Sequence, residues 1–221
     1  NGLSDENKCA IHTSFSSNDA WPYDWSGFCV TYQPQTKAEL QTSVDLWVND
    51  NPTALSTYGQ INSWDVSLIT DMSYLFKNKT TFNDDISSWN VSNVITMNAM
   101  FSSANSFNGD LSNWDVSSVT DMNLMFFSAN SFNGDLSSWD VSGVTNMGLM
   151  FYYATAFNGD ISNWVVSSVT DMQYMFYGVS AFNQNLSNWN VSSVTNMSHM
   201  FYGAPAFNGD ISSWDVSSVT N

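Results

Sequence analysis

Two histidines, two cysteines and a recurring set of aspartates are the residues of this chain whose types suit chemistry. His12 and His199 are far apart, and neither has a sequence-local partner that would complete a nucleophile–base–acid triad, so both are expected to be ordinary surface or turn histidines. Carboxylate pairs such as Asp110/Asp115 and Asp135/Asp140 bring glycosidase chemistry to mind. That chemistry needs one differentiated pair with separated pKa values, whereas these pairs recur identically along the chain. No enzyme is expected. The same carboxylates permit a weak calcium site: Asp85, Asp110, Asp135, Asp160 and Asp210 share one phase, and Asp65, Asp115, Asp140 and Asp215 another. The dense Gly-Gly-x-Gly-x-Asp pattern of calcium-binding β-rolls is missing, so the bland alternative is preferred: these aspartates cap local N–H groups and keep a face soluble. No other metal and no cofactor is expected. Cys9 and Cys29 are expected to form a disulfide, with two free thiols as the alternative; a zinc site would lack ligands, since only His12 lies nearby.

Composition narrows the field further. The chain has 221 residues, 43% apolar and 15% aromatic, enough to bury a core, but only 11% charged. Four lysines stand against twenty acidic residues, for a net charge of −16, and there is no arginine. Lys8, Lys37, Lys77 and Lys79 all precede residue 80. Binding to nucleic acid or to anionic lipid depends on Lys and Arg, so neither is expected. No apolar run reaches the roughly 18–20 residues of a membrane span, and no membrane insertion is expected.

The elements that must carry these residues come from a repeat. Trp recurs at 64, 89, 114, 139, 164, 189 and 214, and Val two residues after each. Phe holds 76, 101, 126, 151, 176 and 201, and again 82, 107, 132, 157, 182 and 207; Met holds 72, 97, 122, 147, 172 and 197. Six units of 25 residues run from Ile61 to Asp210, and eleven residues of a seventh follow. A period of this length means a stacked array. Within the unit 111–135, Trp114 and Val116 alternate with polar neighbours over 113–117, which predicts a short strand. Apolar positions 119, 122, 125, 126, 129 and 132 are spaced by three and four, which predicts a short helix. The unit L-x-x-W-x-V fits a leucine-rich-repeat core. The expected fold is therefore an α/β solenoid, a leucine-rich-repeat-like stack of short parallel strands and short helices. Met and Phe should pack the helix onto the sheet, Trp should form an internal ladder, and the asparagines at 83, 108, 133, 158, 183 and 208 should bond the turns of adjacent units.

The phrase W-D-V-S-x-V-T-x-M-x-x-M-F, seen at 64–76, 114–126 and 139–151, resembles the BspA-like leucine-rich-repeat surface proteins. The resemblance covers 61–221, and Lys37–Trp47 with Tyr58-Gly59 is similar to the leader helix before such arrays. It implies a secreted or surface-displayed protein of adhesion or recognition, with no shared enzymatic activity. Residues 36–60 read as a helical cap, N-capped by Thr36, with Ala38, Val44 and Trp47 buried and Asn51-Pro52 ending the element. Residues 1–35 form a separate leader.

Two faces are candidates for binding. The outer strand face (Asn113, Asp115, Ser117 and equivalents) is small and polar. On the helix side, Tyr74, Phe127, Tyr152, Tyr174, Tyr177 and Tyr202 make a candidate aromatic stripe suited to a protein or glycan partner at a cell surface or matrix; shielding of the helix seam is the alternative. Sequons stand at Asn78, Asn90, Asn185, Asn190 and Asn196. The array is expected either to continue beyond Asn221 or to be closed by a partner chain, including head-to-tail self-assembly into a filament, sheath or matrix.

Overall fold

The computed structural model describes Lys8, Ile11, Ser14, Phe15, Pro22 and residues 31–221. Cys9, Cys29 and His12 lie outside the described residues, and with them the expected disulfide.

Helix α1 spans Lys37–Asn49 and helix α2 spans Asn51–Tyr58. Thr36 begins α1 as expected, its Oγ1 accepting the Glu39 N–H, and Glu39 reaches back to accept the Gln35 N–H at 2.7 Å. Asp50 joins the two helices: its N–H bonds Leu46 O, and its carboxylate accepts the Thr53 N–H at the start of α2. Gly59, at φ 72°, ends α2 in backbone that a side chain would strain. The buried face of α1 is Leu40, Ser43, Val44 and Trp47. Ala38, expected inside, is exposed, because Leu40 takes the inward position of the first turn.

Trp47 stacks edge-on against Trp64 of the first unit at 5.8 Å, and its indole donates to Asp84. Tyr32 and Tyr58 close over the same Trp64 at 5.3 and 5.9 Å. The cap thereby supplies the first unit with the aromatic neighbours that later units supply to one another.

Inside the array the expected elements are exchanged. Trp114 and Val116 do point inward and Asp115 outward, yet 113–117 makes no backbone hydrogen bond to neighbouring units. Residues 119–132 form no helix. Cross-unit pairing runs through this second segment instead. The N–H groups of Met122, Leu124, Phe126 and Ser128 donate to the carbonyls of Asn146, Gly148, Met150 and Tyr152, while those of Met125, Phe127 and Ala129 turn back three residues within their own unit. Single-residue parallel bridges link Asp71, Thr96, Asp121, Asn146, Asp171 and Asn196.

This alternation requires left-handed backbone twice per unit, and φ is positive at Leu124 (60°) and Ser128 (54°), at Leu149 and Tyr153, and at each equivalent pair. A left-handed residue in the third position of a four-residue turn is the type II requirement. Outside glycine it costs about 1 kcal/mol or more. Each interface gains four inter-unit hydrogen bonds in return, each worth about 1 kcal/mol net. A spacing of three serves such turns as well as it serves a helix, which is why the apolar pattern alone points to the wrong element.

The core is a set of ladders. Phe76, Phe101, Phe126, Phe151, Phe176 and Phe201 stack at 5.2–5.7 Å, each also packed on the second Phe of its own unit at about 4 Å. Trp139, Trp164, Trp189 and Trp214 stack at 6.3–6.4 Å. From Trp89 onward each indole N–H of the array donates to a carbonyl of the preceding unit, Trp114 to Ile86 and Trp139 to Leu111, and Trp64 donates to Gly59 of the cap, so none of these is left unpaired. The asparagine column bonds as expected: Asn108 Oδ1 accepts the Asn133 N–H and Asn133 Oδ1 the Asn158 N–H, both at 2.8 Å.

Candidate functional site

A full unit has three corners, nearly all of them built on a short polar side chain that accepts the backbone N–H two residues on, as in the Asx turn. At the first corner Asp115 Oδ1 accepts both the N–H and the hydroxyl of Ser117, and Asp140 accepts the Ser142 N–H; Asn90 and Asn190 do the same with Ser92 and Ser192. At the second, Asp71, Asp121 and Asp171 accept from Ser73, Asn123 and Gln173. At the third, Asp85, Asp110, Asp135, Asp160 and Asp210 accept from the serine two residues later.

These bonds favour the charged form. The Ser117 hydroxyl and then its amide hold the Asp115 carboxyl below its ordinary value, and the Ser112 amide and then hydroxyl do the same for Asp110. Among the described residues, no three His, Cys, Asp or Glu side chains gather where a metal ion would need them. Val165 interrupts the first corner. It stands where the other units carry Asp or Asn and is 55% exposed.

The second cross-unit segment displays the aromatic side chains. Phe127, Tyr152, Tyr177 and Tyr202 form one continuous outer stack, with centroids 4.7, 4.8 and 5.0 Å apart and planes within 16°. Tyr174 leans on Tyr177 at 5.7 Å and lies flat against His199 at 5.0 Å. Desolvation and the neighbouring Tyr153 and Tyr152 hydroxyls push the Tyr177 phenol above its ordinary value.

Tyr153 belongs to this face although the spacing argument omits it. It occupies a left-handed position (φ 53°), is 43% exposed, and crosses Tyr152 and Tyr177 nearly at right angles. Its ring lies over Gly178, where an added Cβ would come within 2.6 Å of it. The doubled tyrosine at 152–153 and the glycine one period later were the available signal. Tyr74, in contrast, is not brought to the stripe. One intervening unit, with the smaller residues Ala99 and Ser102, separates it from Phe127, and its neighbours are cations: Lys77 Nζ is 4.9 Å and Lys37 Nζ 5.9 Å from its ring centre.

Four of the five sequons place Asn in an Asx turn: Asn90, Asn185 and Asn190 are exposed, while Asn196 is half-buried in the bridge with Asp171. Asn78 is exposed at a left-handed turn rather than at a helix end.

The family described as "Mycoplasma protein of unknown function, DUF285" matches residues 48–161 and 134–221, together most of the chain and the whole array. The chain belongs to the DUF285 family. The matched region is compatible with a BspA-like repeat family. Within DUF285 terms, the match takes in the end of α1, all of α2 and every unit, and therefore every residue of the aromatic face. No curated protein and no solved structure matches the chain. Among the described residues, no helix is long and apolar enough to cross a membrane.

Proposed function

We propose that this DUF285 chain is an extracellular, non-catalytic repeat protein of the BspA-like surface kind, a solenoid related to leucine-rich repeats that mediates recognition or adhesion. The observation that carries the proposal is the outer aromatic stack from Phe127 to Tyr202. Elsewhere the corners present Ser, Asn and Asp whose hydrogen bonds are used within their own turns, which leaves little to anchor a partner. The aromatic face instead offers rigid rings with polar tips, the composition enriched where proteins are recognised. Tyr153 is 43% exposed.

The same units argue for a non-catalytic role. Carboxylates repeated in identical turns are not differentiated into acid and base, and His199 lies flat against a tyrosine ring. The test is capture of cell-surface or matrix material by the wild type and by a Tyr152→Ser/Tyr177→Ser/Tyr202→Ser variant, with folding checked by circular dichroism. The variant is expected to lose most of the captured material. Undiminished capture would remove the aromatic face from the function.

A further inference from the structure

The bridge column and the cap together hold a pattern that recurs without its cation. In the first unit, Lys37 of α1 donates to both oxygens of Asp71 at 2.9 Å and to Ser73, while lying 5.9 Å from the Tyr74 ring centre. A single ammonium thus satisfies the carboxylate that begins the segment and the aromatic ring three residues later. Lys77 sits over the same ring from the next phase.

Of the later units, one repeats both groups: Asp171 and Tyr174. The others carry Thr96/Ala99, Asp121/Leu124, Asn146/Leu149 and Asn196/His199. The backbone is the same, left-handed at Tyr74 (65°) and at Tyr174 (54°). In the phase that Lys77 occupies beside Tyr74, Tyr177 stands beside Tyr174, joined to Tyr152 and Tyr202 by the outer stack.

The donor is what differs. Asp71 receives Lys37 from the side of the preceding layer, and Asp121 receives Asn98 Nδ2 at 3.2 Å from the preceding unit. The residue in that place before Asp171 is Gly148, which has no side chain to donate. Gln173 folds back instead, its Nε2 3.1 Å from Asp171 Oδ2, a neutral donor where the first unit has a charged one. Residues 80–221 carry eleven aspartates and no Lys or Arg, so this stretch holds no cation of its own and draws external ones toward it.

We infer that Asp171, Tyr174 and the flanking stack of Tyr152, Tyr177 and Tyr202 form the docking site for a Lys- or Arg-bearing segment of a partner protein. The inference rests on the recognition role proposed above and names the chemistry of the partner. A cation reaching Asp171 replaces the Gln173 amide with a charge-assisted bond, which is the stronger of the two. Its aliphatic stem lies along the tyrosine edges. A protein segment is favoured over a glycan because Tyr152 and Tyr177 already cover one another's faces in the stack. They offer edges and hydroxyls rather than the free flat ring on which a sugar stacks.

The column itself supplies conservative variants. Asp171→Asn copies Asn146 and Asn196 and keeps the Asx turn; Tyr174→Leu copies Leu124 and Leu149. The probe is a fluorescently labelled Lys/Arg peptide titrated against the full chain by anisotropy at about 0.1 M salt. Controls are the same peptide with Gln at each cationic position and an Asp115→Asn protein, which removes one charge from a distant corner in the form already present at Asn90. Each site variant is expected to weaken the cationic peptide about three- to tenfold, while Asp115→Asn and wild type stay within twofold. The Gln peptide should bind at least tenfold more weakly than the cationic one.

Equal losses for Asp115→Asn and Asp171→Asn would reduce the effect to bulk charge and overturn the inference. So would unchanged binding by Tyr174→Leu, or a face that retains glycan but not the peptide. If the Tyr152/Tyr177/Tyr202 variant loses surface capture while Asp171→Asn and Tyr174→Leu keep it, the cation site fails and the recognition role stands. If capture survives in all three variants, the recognition role itself fails.

Discussion

At the scale of single residues, the tryptophan column shows why a polar handle matters inside a repeat. Trp114 is 3% exposed, and its N–H is matched to the Ile86 carbonyl. Replacement by Phe keeps most of the apolar area but removes this inter-unit bond, the Ile86 carbonyl keeping the Trp89 N–H, and Trp114→Phe is expected to cost about 1–2 kcal/mol in urea denaturation from the lost bond and the space left by the smaller ring. The aspartates act at the opposite extreme of exposure. Asp115, Asp140 and Asp215 are held below the ordinary 3.8 by the serine two residues on, hydroxyl first and amide second. A carboxyl depressed in the folded state stabilises above its unfolded pKa and loses that contribution as pH falls through the folded value. The thermal midpoint is therefore expected to change little between pH 7 and about 5, and to drop below about pH 4. An Asp115→Asn/Asp140→Asn protein should show a shallower acid decline, since Asn90 and Asn190 make the same turn without titrating. An acid limb identical in slope would assign the decline to other groups.

At the scale of the element, the left-handed turns are where sequence and structure part. The tryptophan alternation, the asparagine column and the cap with its Thr36 start were legible, because a side chain's direction and a capping oxygen are local properties. The helix assignment over 119–132 was not, because residues spaced by three and four face one side in a helix and in serial turns alike. What separates them is the destination of alternate N–H groups, a property of the neighbouring unit. Tyr153 escaped for the same reason: its exposure follows from φ 53°, which a helical reading forbids. A clean check lies in the equivalent position of the preceding unit. Ser128→Gly relieves the left-handed strain and is expected to be neutral or stabilising by up to about 1 kcal/mol, whereas the β-branched Ser128→Val should destabilise by about 2 kcal/mol. The order of the two in chemical denaturation is the test, and a helix at this site would reverse it. The cation site was half legible: Tyr174 stood in the stripe, but Asp171 gains its meaning only from Lys37 on Asp71.

For the whole molecule, each unit touches the one before and the one after, so stability is carried by interfaces in series. Phe126 is fully buried and stacks on Phe101, Phe132 and Phe151. Phe126→Ala should cost about 3–5 kcal/mol and uncouple the units on either side, so hydrogen exchange would report unequal protection before and after residue 126. Uniform loss of protection along the whole array would deny the serial coupling.

The direction of the cross-unit bonds has a mechanical consequence. The bonds from Met122, Leu124, Phe126 and Ser128 point along the stack, so tension applied to its two ends loads them lengthwise, one interface at a time. When an interface gives way, a single unit is released, and 25 residues of extended chain measure roughly 80–90 Å. Under pull such a chain lengthens in equal steps, each absorbing work while the remaining layers hold.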